Sequence, residues 1–222
     1  MPIKTRQAAR AAADLVRDPL NYNAAMRFGD ALADWSVMRW LYRRIIDELT
    51  PAEQAHLRDL TDRAVDLDAL ARLPPSTFGH AYARFMRDNQ FRMGAQAESF
   101  PPIAATIERD WILRRFTRAH DLHHVVTGYT GEVPAEIGLQ VFNWRNFGEP
   151  YGFLALLAVP VVIARYGQAR RTIAEVWRGL TAGPRAKNLM TAPLEDWFER
   201  DLADVRRELG IIDMATAAAA AA

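Results

Sequence analysis

Residues 120–136 read His-Asp-Leu-His-His-Val-Val-Thr-Gly-Tyr-Thr-Gly-Glu-Val-Pro-Ala-Glu, and they follow a run whose apolar positions are Ile107, Trp111, Leu113 and Phe116. Steps of three and four residues predict an amphipathic helix from Ala104 through His120 to about Thr127. Gly128 is the residue that ends it, because glycine accepts the left-handed conformation of a helix stop. A second helix is predicted after Pro134, carrying Ile137, Leu139, Val141, Phe142 and Trp144. Two adjacent helices joined by a short turn set the expectation for the whole chain.

The pattern extends in both directions. Residues 5–17 predict a short alanine- and arginine-rich helix that stops at Asp18-Pro19. Met26, Leu32, Trp35, Met38, Leu41, Tyr42, Ile45 and Leu49 predict an amphipathic helix over 23–48. Thr50-Pro51-Ala52-Glu53 is a helix start, with threonine as cap, proline in the first turn and glutamate reaching back. Leu73-Pro74-Pro75 breaks the chain before a short helix holding Ala81, Tyr82, Phe85 and Met86. Residues 90–102 read as a loop. Helices are expected over 151–165, over 168–180, and from Pro193 to Leu209, where Gly210 stops the last one. No stretch alternates as a strand does. The fold class is all-α: a single-domain helical bundle with a metal site between two adjacent helices. Residues 1–17 form an N-terminal helix, 18–212 the helical domain, and 213–222 an alanine-rich disordered tail.

Composition narrows the function. Half the residues are hydrophobic and 25% are charged, ordinary values for a globular chain. The net charge of +1 lacks the basic surplus of a nucleic-acid binder, so no nucleic-acid partner is expected. The absence of cysteine excludes disulfides, thiolate metal sites and cysteine nucleophiles. The longest apolar run, Tyr151 to Ala164, contains Pro160 and falls short of the roughly twenty residues a spanning helix needs. That run, followed by Arg165, Arg170 and Arg171, reads either as a buried helix or as a seat on a bilayer surface.

The chemistry concentrates in His120-Asp121-Leu122-His123-His124 and Glu136. On a helix each residue advances about 100°, so His120 and His124 project about 40° apart and can grip one metal ion. Asp121 lies at the edge of the same face. The turn between Gly128 and Pro134 brings Glu136 back toward that ion. His120, Asp121, His124 and Glu136 are the candidate metal-binding and catalytic residues, with Asp121 as a fourth ligand or a proton-handling group. His123 is expected in a supporting or surface position, or as a replacement for His124. Glu132 is a rival carboxylate. Imidazole and carboxylate donors suit a divalent zinc, manganese or iron(II) ion. A zinc metalloprotease would carry glutamate where Asp121 stands, and a further histidine.

His120-Asp121, Leu122-His123, His124, the eleven residues Val125 to Ala135, and then Glu136 resemble the motif of a known family. That family is the fourth member of the Coq series of ubiquinone (coenzyme Q) biosynthesis proteins. Leu73-Pro74 with Phe78-Gly79, Tyr82 and Arg84-Phe85, and the closing Arg206-Arg207-Glu208-Leu209-Gly210-Ile211, are similar to the same family. The likeness covers roughly residues 18–212. Three places depart from its pattern: Ala135 where glycine is frequent, His123 where an apolar or aromatic residue is common, and the segment Asn143-Trp144-Arg145.

The resemblance implies a helical, self-associating protein, a homodimer or other homo-oligomer, with peripheral membrane contact. It implies action on a polyprenylated hydroxybenzoate, whose carboxyl is replaced by hydroxyl, or else a prenyl-lipid-binding scaffold for other ubiquinone-synthesis enzymes. The prenyl tail needs an apolar groove, for which Phe142, Trp144, Phe147 and the run Tyr151 to Ala164 are candidates. The expected location is the bacterial cytoplasm at the inner membrane, with the matrix side of the mitochondrial inner membrane as the alternative.

Overall fold

The computed structural model describes residues 5–18, 21, 23–24, 27–28, 31, 44–90, 111–149 and 151–211. The helices in chain order are α1 (Thr5–Arg17), α2 (Pro51–Asp62), α3 (Leu67–Ala71), α4 (Phe78–Asp88), α5 (Trp111–Thr127), α6 (Val133–Phe147), α7 (Tyr151–Tyr166), α8 (Ala169–Ala182) and α9 (Leu202–Leu209). Short 3₁₀ turns occupy Gly183–Arg185 and Leu194–Trp197. Among the described residues there is no strand, only an isolated bridge between Thr77 and Asp201. The all-α expectation holds. Of the helix expected over 23–48, residues 23, 24, 27, 28, 31 and 44–47 are helical, residue 48 is in a turn, and the others lie outside the described residues. So do 91–102 of the expected loop, 104–110 of the helix before Trp111, and the tail from 213.

Local chemistry sets the helix ends. Thr50 Oγ1 accepts from the Glu53 amide at 3.3 Å while Glu53 Oε2 accepts from the Thr50 amide at 2.7 Å, a reciprocal cap on α2. Asp66 caps the short α3, an element without enough apolar periodicity to announce itself. Gly128 stops α5 with φ +75°, its amide donating to the His124 carbonyl at 2.8 Å. Pro134 sits in the first turn of α6, which begins at Val133.

The single helix expected from Pro193 to Leu209 is broken. The Phe198 and Arg200 carbonyls turn away and accept from the Gly79 and Phe78 amides at 2.8 and 2.9 Å. They thereby satisfy donors that the first turn of α4 leaves free. Asp201 then caps α9 afresh through the Ala203 amide at 2.8 Å. Two helix ends share one exchange of hydrogen bonds, which no reading of periodicity along one segment reveals.

One core joins α4, α5, α6 and α9. Phe78, Tyr82 and Met86 meet Leu122, Val125 and Val126 of α5, Leu139 and Phe142 of α6, and Val205 and Leu209 of α9. Arg206 donates to the Val126 and Val125 carbonyls at 3.0 and 3.1 Å, tying the last turn of α5. At the other end of α5, the Arg115 guanidinium is buried against Glu195 and also donates to the Ala192 carbonyl at 2.8 Å. On the far side of α6, Ile137 and Val141 pack on Ala155, Ala158 and Val162 of α7. Leu154 of α7 also receives α1 through Ala11 and Leu15.

The α6 and α8 backbones touch directly. A Cβ added at Gly179 would lie 2.5 Å from the Gly138 carbonyl oxygen and 2.8 Å from the Phe142 amide nitrogen. Among the described residues no helix is long and apolar enough to cross a membrane.

Two substitutions test this scaffold by urea unfolding. Gly179→Ala is expected to lower stability by about 1–3 kcal/mol, because backbone cannot yield as a side chain can. Helix propensity alone favours alanine by about 1 kcal/mol, so a gain in stability would disprove the contact. Glu195→Ala, which leaves a buried guanidinium without its carboxylate, is expected to cost about 3–5 kcal/mol.

Candidate metal centre

α5 presents His120 and His124 one turn apart, and the tight turn after Gly128 returns the chain so that α6 presents Glu136. One donor atom from each of these three residues lies within 4.8 Å of the others. His124 Nε2 is 3.0 Å from Glu136 Oε2, and His120 Nε2 is 3.5 Å from Glu136 Oε1. The imidazole centroids are 4.9 Å apart, edge to face.

The remaining ring nitrogens are also engaged. His124 Nδ1 lies 3.1 Å from the Tyr129 carbonyl, an acceptor that fixes the proton on Nδ1 and leaves Nε2 free to bind a cation. His120 Nδ1 lies 3.7 Å from Asp121 Oδ1. Asp121 therefore stands behind the His120 ring, at the nitrogen facing away from Glu136. Phe85 stacks on His124 with centroids 5.1 Å apart, and Phe116 meets His120 edge-on at 6.0 Å.

Burial is uneven. The His124 side chain is 2% exposed, whereas His120 and Glu136 are each 19% exposed, so the cluster has one solvent-facing side. Burial by itself raises the Glu136 pKa, but the facing imidazoles His120 and His124 outweigh it and hold the carboxyl well below its ordinary value. Burial likewise disfavours the charged form of His120, yet Glu136 and then Asp121 raise that group to about 10. A cation entering among these groups takes over the charge that the His120 proton supplies and displaces it. Two imidazoles and a carboxylate fit zinc, manganese or iron(II).

Other sequence candidates fall elsewhere. Glu132 is exposed at the start of α6 and pairs with Arg171, outside the cluster. His123 is not at the surface. Its side chain is fully buried, its ring 5.8 Å from that of Phe147, with neither nitrogen hydrogen-bonded. Burial foremost, then the positive charges of His120 and Arg115, keep it neutral, with a pKa well below the ordinary value. Phe142, Trp144 and Phe147 do not line one groove. Phe142 belongs to the main core, Phe147 packs with Ile45, Ile46, Ile112 and Met190, and Trp144 meets Phe153. On a helix Phe142 and Trp144, two residues apart, project about 160° from each other, so the three cannot share one face.

One residue absent from the sequence reading belongs here. Gln140 Nε2 donates to Glu136 Oε1 at 2.7 Å and lies 3.1 Å from His120 Nε2. Its position one turn after Glu136 is the signal that would have found it.

Comparison with known proteins gives a concordant result. The family model described as coenzyme Q (ubiquinone) biosynthesis protein Coq4 matches residues 8–215. The mitochondrial ubiquinone biosynthesis protein COQ4 of Coprinopsis cinerea is 28% identical over 207 residues, covering 89% of this chain and 67% of the relative. Its counterpart in Eremothecium gossypii is 26% identical over 197 residues, covering 87% and 59%. The chain thus spans about three fifths to two thirds of the length of these curated relatives. A crystal structure from Nostoc punctiforme, described as a ubiquinone biosynthesis protein, superposes with a TM-score of 0.74 at 22% identity, covering 96% of this chain and all of that one. At that identity it speaks for the fold.

Removing one imidazole tests the cluster. His124→Ala is expected to abolish stoichiometric binding of iron(II) or zinc by the purified chain, read by elemental analysis, with helical circular dichroism retained. Glu132→Ala is expected to bind as the unmodified chain does. Full metal content in His124→Ala would remove that residue from the site.

Proposed function

Because the chain belongs to the coenzyme Q (ubiquinone) biosynthesis Coq4 family, we propose that it is a metal-dependent enzyme of that pathway. The proposed substrate is a polyprenylated hydroxybenzoate, and the proposed reaction replaces its carboxyl group with hydroxyl. The observation that carries this reading is the convergence of His120 Nε2, His124 Nε2 and the Glu136 carboxylate on one partly open point. A closed structural site would have no solvent-facing side.

The reaction loses carbon dioxide and installs one oxygen atom on the ring. With dioxygen as oxidant, the second oxygen atom leaves as water and a co-reductant supplies two electrons. A divalent cation held by His120, His124 and Glu136 would draw electron density from the ring through a neighbouring phenolate oxygen. The protein groups do the rest. The Tyr129 carbonyl and Asp121 hold the two imidazoles in the tautomers that leave Nε2 free. Asp121, behind His120 at Nδ1, would compensate the charge on that imidazole and orient its ring. Phe85, flat against His124, offers an apolar wall to an aromatic ring.

A second reading, a prenyl-lipid scaffold for the pathway's other enzymes, draws on the apolar residues left exposed on the α7–α8 hairpin. These are Phe153 and Leu157 on α7 and Ile173 and Trp177 on α8, with Arg165, Arg170 and Arg171 also exposed. The same surface suits peripheral contact with an anionic bilayer, where a polyprenylated substrate resides. The proposed bilayer is the bacterial inner membrane, with the mitochondrial inner membrane as the alternative, the relatives being named mitochondrial.

The deciding experiment supplies the iron-loaded chain with a polyprenylated hydroxybenzoate, dioxygen and a reductant. Equal amounts of carbon dioxide and hydroxylated ring are expected. Asp121→Asn is expected to keep its iron and lose about 10–100-fold in turnover. Tight retention of the substrate with no carbon dioxide would favour the scaffold.

A further inference from the structure

Gln140 lies inside the donor cluster but turned the wrong way to bind a cation. Its amide nitrogen has no lone pair to give, and it donates to Glu136 Oε1 at 2.7 Å. That carboxylate has no proton of its own, so nitrogen, not oxygen, faces it. The same nitrogen is 3.1 Å from His120 Nε2, so it touches two of the three residues of the cluster. The other end of the amide is left over: Gln140 Oε1 is buried and accepts no hydrogen bond.

We propose that Gln140 is an additional metal ligand, which turns its amide by about half a rotation when a cation enters. The proposal rests on the metal-dependent reading above. The amide N–H gives the Glu136 carboxylate a hydrogen bond beside the two imidazoles. A cation takes over that role, and the N–H loses its purpose. Exchange of the amide nitrogen and oxygen then puts Oε1 beside Glu136 Oε1 and His120 Nε2. Without a cation this arrangement is unfavourable: of the three atoms, the two oxygens would face each other with no proton between them. With a cation it is favourable, because all three donate to it. The turn occurs about the terminal side-chain bond, a broad and nearly two-fold rotation that needs no backbone movement. An amide oxygen is a hard donor, so it favours iron(II), manganese or magnesium over soft-ligand ions.

Cobalt(II) titration of the full chain against a competing chelator tests this, with circular dichroism as the folding control. The wild-type chain is expected to bind one equivalent. Gln140→Leu is expected to weaken binding by about tenfold or more, and Gln140→Glu, isosteric and a stronger ligand, to bind tighter. In the ¹⁵N spectrum of the wild-type chain, the Gln140 side-chain amide pair, assigned by its loss in Gln140→Leu, is expected to shift on adding zinc. Equal or tighter binding by Gln140→Leu, or an unmoved amide pair at saturating zinc, would overturn the ligand assignment and leave the metal reading standing. No binding by the wild-type chain would overturn both.

Discussion

The position of Glu136 depends on how closely α6 can approach α8. Gly179 leaves room for the Gly138 carbonyl and the Phe142 amide to lie against it with no side chain between. Glu136 and Gly138 project about 200° apart on a helix, so pressing one face of α6 against α8 drives the other toward α5. The stripe that results is Glu136, Gln140, Asn143 and Phe147, spaced at steps of three and four. α5 answers with Phe116, His120, His123 and His124. Its own position is held at one end by Arg115 with Glu195 and at the other by Arg206 on the Val125 and Val126 carbonyls. The geometry of the His120, His124 and Glu136 cluster is thus imposed from outside it, by packing that involves none of the three.

What could be read from the sequence divides along physical lines. Effects confined to one helix or to one short turn were legible: the caps at Thr50 and Gly128, the four-residue step from His120 to His124, and the return of the chain to Glu136. Effects that require two segments far apart in the chain were not. The break between Leu194–Trp197 and α9 exists because the α4 amides need the carbonyls of Phe198 and Arg200. His123 is buried because Phe147 of α6 covers α5 on that side, a contact between two helices. Gln140 carried a periodic signal, but an amide among carboxylates and imidazoles is easily passed over as a polar surface residue. The groove assigned to Phe142, Trp144 and Phe147 failed for a simpler reason, since one helix cannot turn those three positions to a common side.

The α5–α6 contact is polar where an all-apolar seam would be more stable. His123 and Asn143 are fully buried, and none of their side-chain nitrogens and oxygens is hydrogen-bonded. Each unsatisfied buried group costs about 1–3 kcal/mol. The Glu136 cluster differs in kind, because its charges compensate one another: the imidazoles lower the carboxyl pKa and the carboxylates raise that of His120.

The number of protein donors bears on which ion can serve the proposed chemistry. Three donors, with His120 and Glu136 partly exposed, leave a tetrahedral ion one free position. With the Gln140 amide oxygen as a fourth donor, a tetrahedral ion would be enclosed, and a phenolate could bind only by displacing a ligand. A six-coordinate ion with four protein donors would still keep two positions, enough for substrate and dioxygen together. The proposed replacement of carboxyl by hydroxyl is an oxidation, and zinc has no second oxidation state to contribute. On the proposed chemistry, a six-coordinate, redox-active ion such as iron(II) would satisfy both requirements.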